Sequence, residues 1–402
     1  MNETLTLDLP KTALPRRARS VLRLLEGLRG GSLELTLPGG LRQRFGAGPR
    51  QAAMAVRDWA VFDAVLARGD IGLAETWIDG LWDSPDPAAL LTLLAENRDT
   101  LAHALYGSAW SLIGARLRHF FNANTRAGSR RNILAHYDLG NDFYRLWLDP
   151  TMSYSSALYE GQAERPLQAA QAAKNRRILD RLGAMPGERV LEIGCGWGGF
   201  AELAARDGLA MHGITLSPAQ LDYARTRIAR AGLADRARFS LTDYRDLDGR
   251  YDHIVSVEMF EAVGERWWPA WFRTVARNLA PEGRAVVQSI TIRDDLFARY
   301  RKGTDFIQQM VFPGGVLPSV AAFRQQAQRA GLEVREAFAF GRDYARTLAE
   351  WARNFEAAWP EIARLGFDER FRRLWRFYLA YCEAGFAAGS TDVVQFELAH
   401  AR

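Results

Sequence analysis

The sequence has 402 residues, of which 48% are hydrophobic and 25% charged, a balance typical of globular proteins that excludes collagen-like and intrinsically disordered chains. Its length suits two or three domains. The net charge of +5 is a mild basic excess, compatible with solvated arginines, an anionic membrane surface or nucleic acid. Cys195 and Cys382 are too few for a disulfide framework and lack a metal-ligand spacing, so we expect a cytoplasmic protein without a structural metal.

The first part of the chain predicts a small α+β accessory domain over residues 1–95. The segment SLELTLPGGLRQRFG is typical of a hairpin that turns at Gly39 and Gly40, and two amphipathic segments follow it. Residues 96–125 form a predicted linker, in which residues 101–115 carry no charged side chain and an arginine-rich segment follows. This predicts a helix that lies either at a membrane interface or between two domains. No segment reaches the roughly 18 apolar residues needed to cross a membrane.

Residues 126–402 form the predicted catalytic domain, in which strand and helix patterns alternate from about residue 184. This alternation predicts an α/β fold with a doubly wound, mostly parallel sheet. The segment SPAQLDYARTRIARAG predicts one of the helices. Ser217 is its expected N-cap, Pro218 its first residue and Gly232 its end, while Gln220 is expected to complete a capping box.

A glycine-rich loop, in VLEIGCGWGGFAEL, joins the first of these strands to a helix. Glycines at such a turn let the backbone approach a ligand closely. The loop differs from a dinucleotide-binding fingerprint because Glu192 lies in the strand end, where its charge would repel a pyrophosphate but suit an ammonium or a sulfonium. The segment resembles the donor loop of class I S-adenosylmethionine-dependent methyltransferases. The next strand ends in GITLSPAQ, without the acid that many of these enzymes use to hold the ribose.

Further motifs resemble those of one particular family of methyltransferases. The segment HYDLGNDFYRLWLDPTMSYSSALYEG (residues 136–161), together with VEMFEAVG, FIQQMVFPGG and DYARTL, is similar to cyclopropane-fatty-acyl-phospholipid synthases over about residues 126–402. The resemblance implies methyl transfer from S-adenosylmethionine to the cis double bond of a phospholipid acyl chain. A bound bicarbonate ion would then remove a proton as the cyclopropane ring closes. We accordingly expect a peripheral protein at the inner membrane surface, a homodimer that does not bind nucleic acid.

The resemblance also assigns residues to the two ends of the site. The residues expected to hold S-adenosylmethionine are Tyr137, Tyr154, Ser155, Glu192, Gly194, Gly196, Gly198, Gly199, Phe200, Thr215, Leu216, Ser217, Gln220, Asp243 and Tyr244. The residues expected at the reacting end, around bicarbonate, are Glu261, Tyr344, Gln288, Ser156, Ile290 through its backbone, and Cys382. For Cys382 a purely structural role is an equal alternative, since cysteine often packs as a small hydrophobic residue.

The sequence departs from the family pattern at three positions. Ser156 replaces a cysteine, and Ala262 and Gln288 each replace a histidine. Glutamine forms hydrogen bonds but cannot titrate, so bicarbonate binding and ring closure stay open. A C-methyl or methylene-branched acyl chain is therefore an alternative product. Of the two acids in VEMFEAVG, we expect Glu261 to act in the reaction and Glu258 to have a structural role.

Two functions of other classes are alternatives. A nucleic-acid methyltransferase would fit the basic charge, but the sequence has Val-Glu-Met-Phe where amine methylases of bases have Asn/Asp-Pro-Pro-aromatic, and neither cysteine follows a proline. A non-catalytic lipid-binding protein would fit the loss of the histidine at position 288, but not the intact donor loop. The aromatic residues Trp267, Trp268, Trp271 and Phe272 have helical spacing and predict core packing.

Overall fold

The computed structural model describes residues 14–101 and 139–401. Tyr137 and the neutral segment that begins at Leu101 lie outside the described residues, apart from Leu101 itself. The chain divides into two units. The first comprises Met1–His119, Gly303–Val311 and Ala363–Ser390, and the second comprises Phe120–Lys302, Phe312–Ile362 and Thr391–Arg402.

The first unit contains four strands: β1 (Gly31–Thr36), β2 (Arg42–Ala47), β3 (Arg50–Val56) and β4 (Trp82–Asp83). They form one sheet with the order β2-β1-β3-β4, in which β1 is antiparallel to β2 and parallel to β3. Gly39 and Gly40 form the turn between β1 and β2 with φ of 89° and 86°, which confirms the predicted hairpin, and such angles favour glycine. The helices are Arg16–Leu25, Ala60–Arg68, Asp70–Ile78, Pro87–Glu96 and Glu369–Ala387, with a π-helix at Ile307–Val311.

A group of acids lies inside the first unit, where the helix Asp70–Ile78 begins. The hydroxyl of Tyr381 donates to Oδ2 of Asp70 at 2.6 Å, and the backbone N–H of Ile71 donates to Oδ1 at 2.9 Å. The neighbouring carboxylate of Asp305 accepts the N–H of Gln308 at 2.8 Å. Burial and the negative charge of Asp70 raise the pKa of Asp305 to about 7. These acids therefore satisfy backbone donors at the starts of helical segments.

The second unit contains seven strands: β5 (Arg189–Ile193), β6 (Ala210–Thr215), β7 (Ala237–Leu241), β8 (Tyr251–Val257), β9 (Leu279–Ile292), β10 (Leu332–Ala339) and β11 (Thr391–His400). They form one sheet with the order β10-β11-β9-β8-β5-β6-β7. Strands β9, β8, β5, β6 and β7 run parallel, and β11 is antiparallel to both of its neighbours. This confirms the predicted α/β fold with a doubly wound, mostly parallel sheet.

Helices cover this sheet, and their apolar faces form its core. Trp268, Trp271 and Phe272, on one face of a helix, are buried with Phe260, which confirms their predicted packing, while Trp267 is only partly buried. The helices of this unit are Asn141–Arg145, Leu167–Leu182, Gly199–Arg206, Pro218–Arg230, Trp268–Asn278, Asp294–Tyr300, Val320–Arg329 and Gly341–Ala357. A further helix, Trp359–Arg364, spans a boundary between the two units along the chain.

The strand order places a crevice at the carboxyl ends of β5 and β8. After β5 the chain continues to β6 and β7 on one side, and then returns to form β8 on the other side of β5. Open α/β sheets bind ligands where the strand order reverses in this way. Among residues 14–101 and 139–401, no helix has both the length and the apolar character that a membrane crossing requires.

Candidate active site

A cavity lies at the carboxyl ends of the parallel strands, and most of the residues expected to hold the methyl donor line it. They are Tyr154, Ser155, Glu192, Gly194, Gly196, Gly199, Phe200, Thr215, Leu216, Gln220, Asp243 and Tyr244. Two other expected residues do not line the cavity. Gly198 packs against Ala224, and Ser217 is a buried helix N-cap. The end of β5, the loop after it and the ends of β6 and β7 therefore contribute to one site.

The loop after β5 shows why glycine is required there. Gly194 has a φ of 87°, and a side chain at this position would place its Cβ 2.8 Å from Cγ of Met259. Gly196 has a φ of 50°, and a Cβ there would meet no atom within 4 Å. The first glycine thus permits close packing, while the second leaves free space beside the backbone for a ligand.

Glu192 is the acid in the end of β5, and its side chain is 3% exposed. Its Oε2 atom has no hydrogen-bond partner among the described residues. Burial raises the pKa of Glu192 to about 8, an effect that the nearby ammonium of Lys174 opposes. A buried carboxyl group with an unsatisfied oxygen on a cavity wall suits a cationic ligand group, such as an ammonium.

Lys174 is a part of the site that the sequence did not reveal. It lies on the helix Leu167–Leu182, is 2% exposed, and its ammonium donates to Oγ of Ser155 at 2.7 Å. Burial lowers its pKa to about 8, while the charges of Glu258 and Glu192 oppose this shift. Its only signal in the sequence is that a lysine is rare in a chain whose basic residues are nearly all arginine.

The polar ends of β6 and β7 are held by local hydrogen bonds. Oγ of Ser217 accepts the N–H of Gln220 at 3.3 Å, as predicted for an N-cap. The predicted capping box is wrong in its other half, because the side chain of Gln220 instead accepts the hydroxyl of Thr215 at 2.9 Å. Beyond β7, Asp243 forms an ion pair with Arg245 at 2.6 Å, which orients its carboxylate at the cavity.

Glu258, expected to be structural, is the centre of the polar network at the end of β8. Its Oε1 accepts the backbone N–H of Ser156 and the side-chain amide of Gln288, both at 2.8 Å. Its Oε2 accepts the hydroxyl of Tyr344 at 2.6 Å. The backbone of Glu258 has a φ of 48°, in the left-handed region, which costs about 1 kcal/mol for a residue other than glycine. Glu258 also lines the cavity.

The orientation of the Gln288 amide follows from a chain of donors. The guanidinium of Arg177, which can only donate, donates to Oε1 of Gln395 at 3.0 Å. The amide nitrogen of Gln395 donates to Oε1 of Gln288 at 3.0 Å. The amide nitrogen of Gln288 must then point to Glu258. The backbone N–H of Glu258 also donates to the carbonyl of Gln288 at 2.8 Å. One backbone and one side-chain hydrogen bond therefore connect the two residues.

Glu261 has fewer partners than the resemblance implied. Its Oε1 accepts the backbone N–H of Ile290, and its Oε2 is buried without a hydrogen-bond partner in the part of the chain that the structure describes. Burial and the charge of Glu258 raise the pKa of Glu261 to about 8. The hydroxyl of Tyr344, expected to contact an anion beside Glu261, donates to Glu258, and its contact with an anion stays a prediction.

Bicarbonate, expected from the resemblance, does not fit the observed donors. Ser156, Gln288 and Tyr344, three of the groups expected around the ion, already donate to the carboxylate of Glu258. The N–H of Ile290 donates to Glu261. A second anion here would face these two acids with no donor from this set directed at it.

Cys382 lies in the first unit and is not among the residues that line the cavity. Its thiol is half-buried, and removal from water together with the charge of Asp305 raises its pKa above the ordinary value. A thiol with a raised pKa is a poor nucleophile and a poor base at neutral pH. The expectation for Tyr137 lies outside the described residues.

The sheet, the glycine loop and the acid of β5 define a class I S-adenosylmethionine-dependent methyltransferase. The family model of mycolic acid cyclopropane synthetases matches residues 124–396, and the chain belongs to that family. A tuberculostearic acid methyltransferase of Mycobacterium tuberculosis is 40% identical over 362 residues, which cover 88% of this chain and 84% of that protein. A cyclopropane-fatty-acyl-phospholipid synthase of Escherichia coli is 36% identical over 352 residues, which cover 87% and 88%.

Solved structures agree with this assignment. The chain is similar to a mycolic acid cyclopropane synthase in complex with S-adenosylhomocysteine and CTAB, with a TM-score of 0.63 and 33% identity. The similarity covers 67% of this chain and 97% of that one. It is also similar to a cyclopropane synthase from Mycobacterium tuberculosis, with a TM-score of 0.63 and 31% identity over 67% of this chain and 98% of that one.

The described residues fit S-adenosylmethionine by their chemistry. The unsatisfied oxygen of Glu192 suits the amino group of the methionine moiety, and the free space at Gly196 suits a ligand close to the backbone. The hydroxyl of Thr215 and the carboxylate of Asp243 offer polar contacts to the nucleoside. When bound, S-adenosylmethionine supplies an electrophilic methyl group on a positively charged sulfur.

Proposed function

We propose that this enzyme transfers a methyl group from S-adenosylmethionine to the cis double bond of unsaturated acyl chains in membrane phospholipids and forms a cyclopropane ring. The observation that carries the proposal is a cavity that combines a cationic-donor loop with a carboxylate held by three hydrogen-bond donors. The first property suits the methyl donor. The second suits the positive charge that develops on an alkene when it is methylated.

The reaction requires a close and water-poor site. An alkene is a weak, uncharged nucleophile, so its two carbons must be held against the methyl group with little freedom. The ring of Tyr154 lies on the cavity, with ring centroids 5.6 Å from Trp147 and 5.4 Å from Trp351. Both tryptophans are buried. This aromatic group excludes water and presents electron-rich ring faces, which favour a cation.

The phospholipid substrate is the finer part of the proposal. The relative from Escherichia coli is named for a fatty acyl phospholipid, and the net charge of +5 favours an anionic membrane surface. We further propose that the protein is peripheral at the inner membrane surface, that it is a homodimer, and that the first unit is an accessory module. Under this proposal bilayers, not soluble fatty acids, present the acyl chain.

A second candidate function is the same methyl transfer with a C-methyl or methylene-branched product. The observation that favours it is Gln288, which stands where the family pattern has a titratable histidine and which donates to Glu258. The relative with 40% identity is named a tuberculostearic acid methyltransferase rather than a cyclopropane synthase. The two candidates share the same methylated cation. Ring closure loses a proton of the transferred methyl group directly, whereas a methylene branch first requires a hydride shift from the methylated carbon to the cationic carbon. A saturated C-methyl chain would in addition require a reductant.

Methyl transfer to liposomes tests the proposed function. The enzyme is incubated with methyl-labelled S-adenosylmethionine and phosphatidylglycerol vesicles that carry oleoyl chains, with vesicles of saturated chains as the control. We expect label only in the oleoyl lipid, and the upfield ring-methylene proton of a cyclopropane in its NMR spectrum. A labelled product without that signal would favour the branched chain. Methylation of nucleosides or soluble amines, with both lipids untouched, would disprove the proposal.

A pair of variants tests the donor site separately. We expect Glu192→Gln to weaken S-adenosylmethionine binding by ~10-fold or more, because a charge-assisted hydrogen bond is replaced by a neutral one. Glu160→Gln is the control, since Glu160 is exposed and does not line the cavity. Calorimetric titration with S-adenosylhomocysteine measures both. Equal affinities of the two variants for S-adenosylhomocysteine would show that Glu192 does not bind the methyl donor.

A further inference from the structure

We propose that the carboxylate of Glu258 is the base of this enzyme, a built-in replacement for an external bicarbonate ion. The inference rests on the proposed function. It assigns a catalytic residue and predicts that turnover does not require bicarbonate.

The first argument is the number and direction of the donors. Oε1 of Glu258 accepts the N–H of Ser156 and the amide of Gln288, and Oε2 accepts the hydroxyl of Tyr344. These are three of the groups expected to surround the ion. Donors that would hold a free anion instead hold a carboxylate that is covalently part of the chain.

The second argument is that the network favours an acceptor at this position. Arg177 can only donate, and it orients Gln395, which orients Gln288 with its nitrogen toward Glu258. Neither Gln288 nor a backbone N–H can accept a proton from Glu258 and then return it. Burial raises the pKa of Glu258, but these hydrogen bonds and the ammonium of Lys174 oppose that rise and favour the anion, which is the form that a base requires.

The third argument is the backbone. Glu258 has a φ of 48° directly after β8, a conformation in which residues other than glycine are uncommon. Strained residues cluster at active sites, where the surrounding structure holds them. Here the N–H of Glu258 donates to the carbonyl of Gln288, which keeps the side chain at the end of the strand and on the cavity wall.

The chemical step balances without another reactant. The π electrons of the alkene form a bond to the methyl carbon as the bond from that carbon to sulfur breaks, which leaves a cation on the other alkene carbon. A proton of the transferred methyl group then passes to a carboxylate oxygen of Glu258. The electrons of that C–H bond close the ring, and Glu258 loses the proton to water before the next turnover.

The neighbouring acid, Glu261, is not an equivalent candidate. Its Oε1 accepts the N–H of Ile290, the hydroxyl of Ser289 also interacts with the carboxyl group, and its Oε2 has no hydrogen-bond partner among the described residues. Two adjacent carboxyl groups do not both ionise readily, and the nearby ammonium of Lys174 favours the charge on Glu258. Glu261 is therefore assigned the proton at neutral pH, and Glu258 the charge.

The test compares wild-type protein with Glu258→Gly and Glu258→Gln. Methyl transfer to oleoyl vesicles is measured in buffer purged of carbon dioxide and again with sodium bicarbonate or sodium formate, with sodium chloride as the ionic-strength control. Glycine suits the observed φ and removes the carboxylate, so it opens an anion site of the same donors. Glutamine keeps the size of the side chain but cannot act as a base. Glu160→Gly, at an exposed residue with a φ of 54°, is the matched control.

We expect wild-type turnover to change less than twofold when bicarbonate is removed. Both Glu258 variants should lose at least ~100-fold in turnover, within the range for a general base, and should bind S-adenosylhomocysteine within threefold of wild type. Bicarbonate or formate should restore Glu258→Gly at least tenfold and leave Glu258→Gln unchanged. The Glu160→Gly protein should match wild type throughout.

Several results would overturn the inference. Wild-type activity that needs bicarbonate would do so, as would a Glu258→Gln protein with a turnover within tenfold of wild type. A Glu258→Gly protein that binds S-adenosylhomocysteine but that neither anion reactivates would also contradict it. A wild-type protein that labels no acyl chain in either buffer would instead overturn the proposed function, and the inference with it.

Discussion

Each of the two units contains two neighbouring acids and a tyrosine, but the surroundings of the two groups differ. In the first unit the hydroxyl of Tyr381 donates to Asp70, and in the second the hydroxyl of Tyr344 donates to Glu258, both at 2.6 Å. In each group a second acid lies nearby and the surroundings raise the pKa of the acids. A search for perturbed carboxyl groups alone would select both.

The remaining partners separate the two groups. Asp70 accepts the backbone N–H groups of Ile71 and Phe306, and Asp305 accepts that of Gln308, all at or next to the starts of helical segments. Both groups thus accept donors from remote segments, but Glu258 lines the cavity, whereas Asp70 and Asp305 are not among the residues that line it. An acid with a shifted pKa is thus a candidate for catalysis when it lines a cavity. It is a candidate for a structural role when it accepts backbone N–H groups at the start of a helix.

The largest effect is expected from a matched pair of tyrosine variants. Tyr344→Phe removes a hydrogen bond to a charged group on the cavity wall, so turnover should fall by ~10- to 100-fold. Tyr381→Phe removes the equivalent bond in the first unit and should leave turnover within about twofold of wild type, since binding and chemistry do not use it. Initial rates on oleoyl vesicles measure both. A loss of turnover in Tyr381→Phe equal to that in Tyr344→Phe would end the distinction between the two groups.

A stability effect of intermediate size is expected from Asp70→Asn. The variant weakens the bonds with Tyr381 and Ile71, and the free energy of unfolding should fall by ~1–3 kcal/mol. Asp79→Asn is the control, because Asp79 is exposed and its ion pair with Arg370 should contribute less than ~1 kcal/mol. Urea unfolding measures both variants. If Asp70→Asn is as stable as the control, the structural role assigned to this group is incorrect.

A smaller effect concerns the pH dependence of stability through Glu261. In the unfolded chain this carboxyl group loses its proton near its ordinary pKa of 4.5, whereas in the folded protein it keeps the proton up to about 8. Between these values the unfolded state binds fewer protons, so the free energy of unfolding falls as pH rises. Glu261→Gln should reduce this fall, although Glu192, also shifted to about 8, maintains part of it. Urea unfolding from pH 5 to pH 8 tests this, and an unchanged slope would show that folded Glu261 is already ionised.

The smallest effect is expected from Cys382→Ala. The thiol has a raised pKa and lies in the unit that contains Asp70 and Asp305, so turnover should stay within about twofold of wild type. Stability should change by less than ~1 kcal/mol because little volume is lost. The same thiol should react slowly with iodoacetamide at pH 7.5. An inactive Cys382→Ala protein that unfolds like wild type would show that this cysteine takes part in catalysis.

Much of the second unit could be predicted from the sequence because its signals are local. The strand and helix periodicities, the glycine loop and the N-cap at Ser217 each depend on a short segment and on backbone geometry. The structure has the expected sheet, and the loop after β5 lines the cavity. The capping-box prediction failed at Gln220 because a side chain from the preceding strand, Thr215, provides the better partner. That competition arises only when the strand and helix ends are brought together.

The sequence by itself therefore determined the fold class, the family and the donor loop, since these depend on periodicity and on residues close together in the chain. Only the tertiary structure shows which of the two acids accepts the donors of Ser156, Gln288 and Tyr344. Glu258 and Glu261 are three positions apart, and the family resemblance favoured Glu261, because the sequence does not show which remote groups surround each acid. Ser156, Gln288 and Tyr344 come from remote segments and meet at Glu258. A carboxyl group's ionisation depends on the donors around it, and those donors are neighbours only after folding.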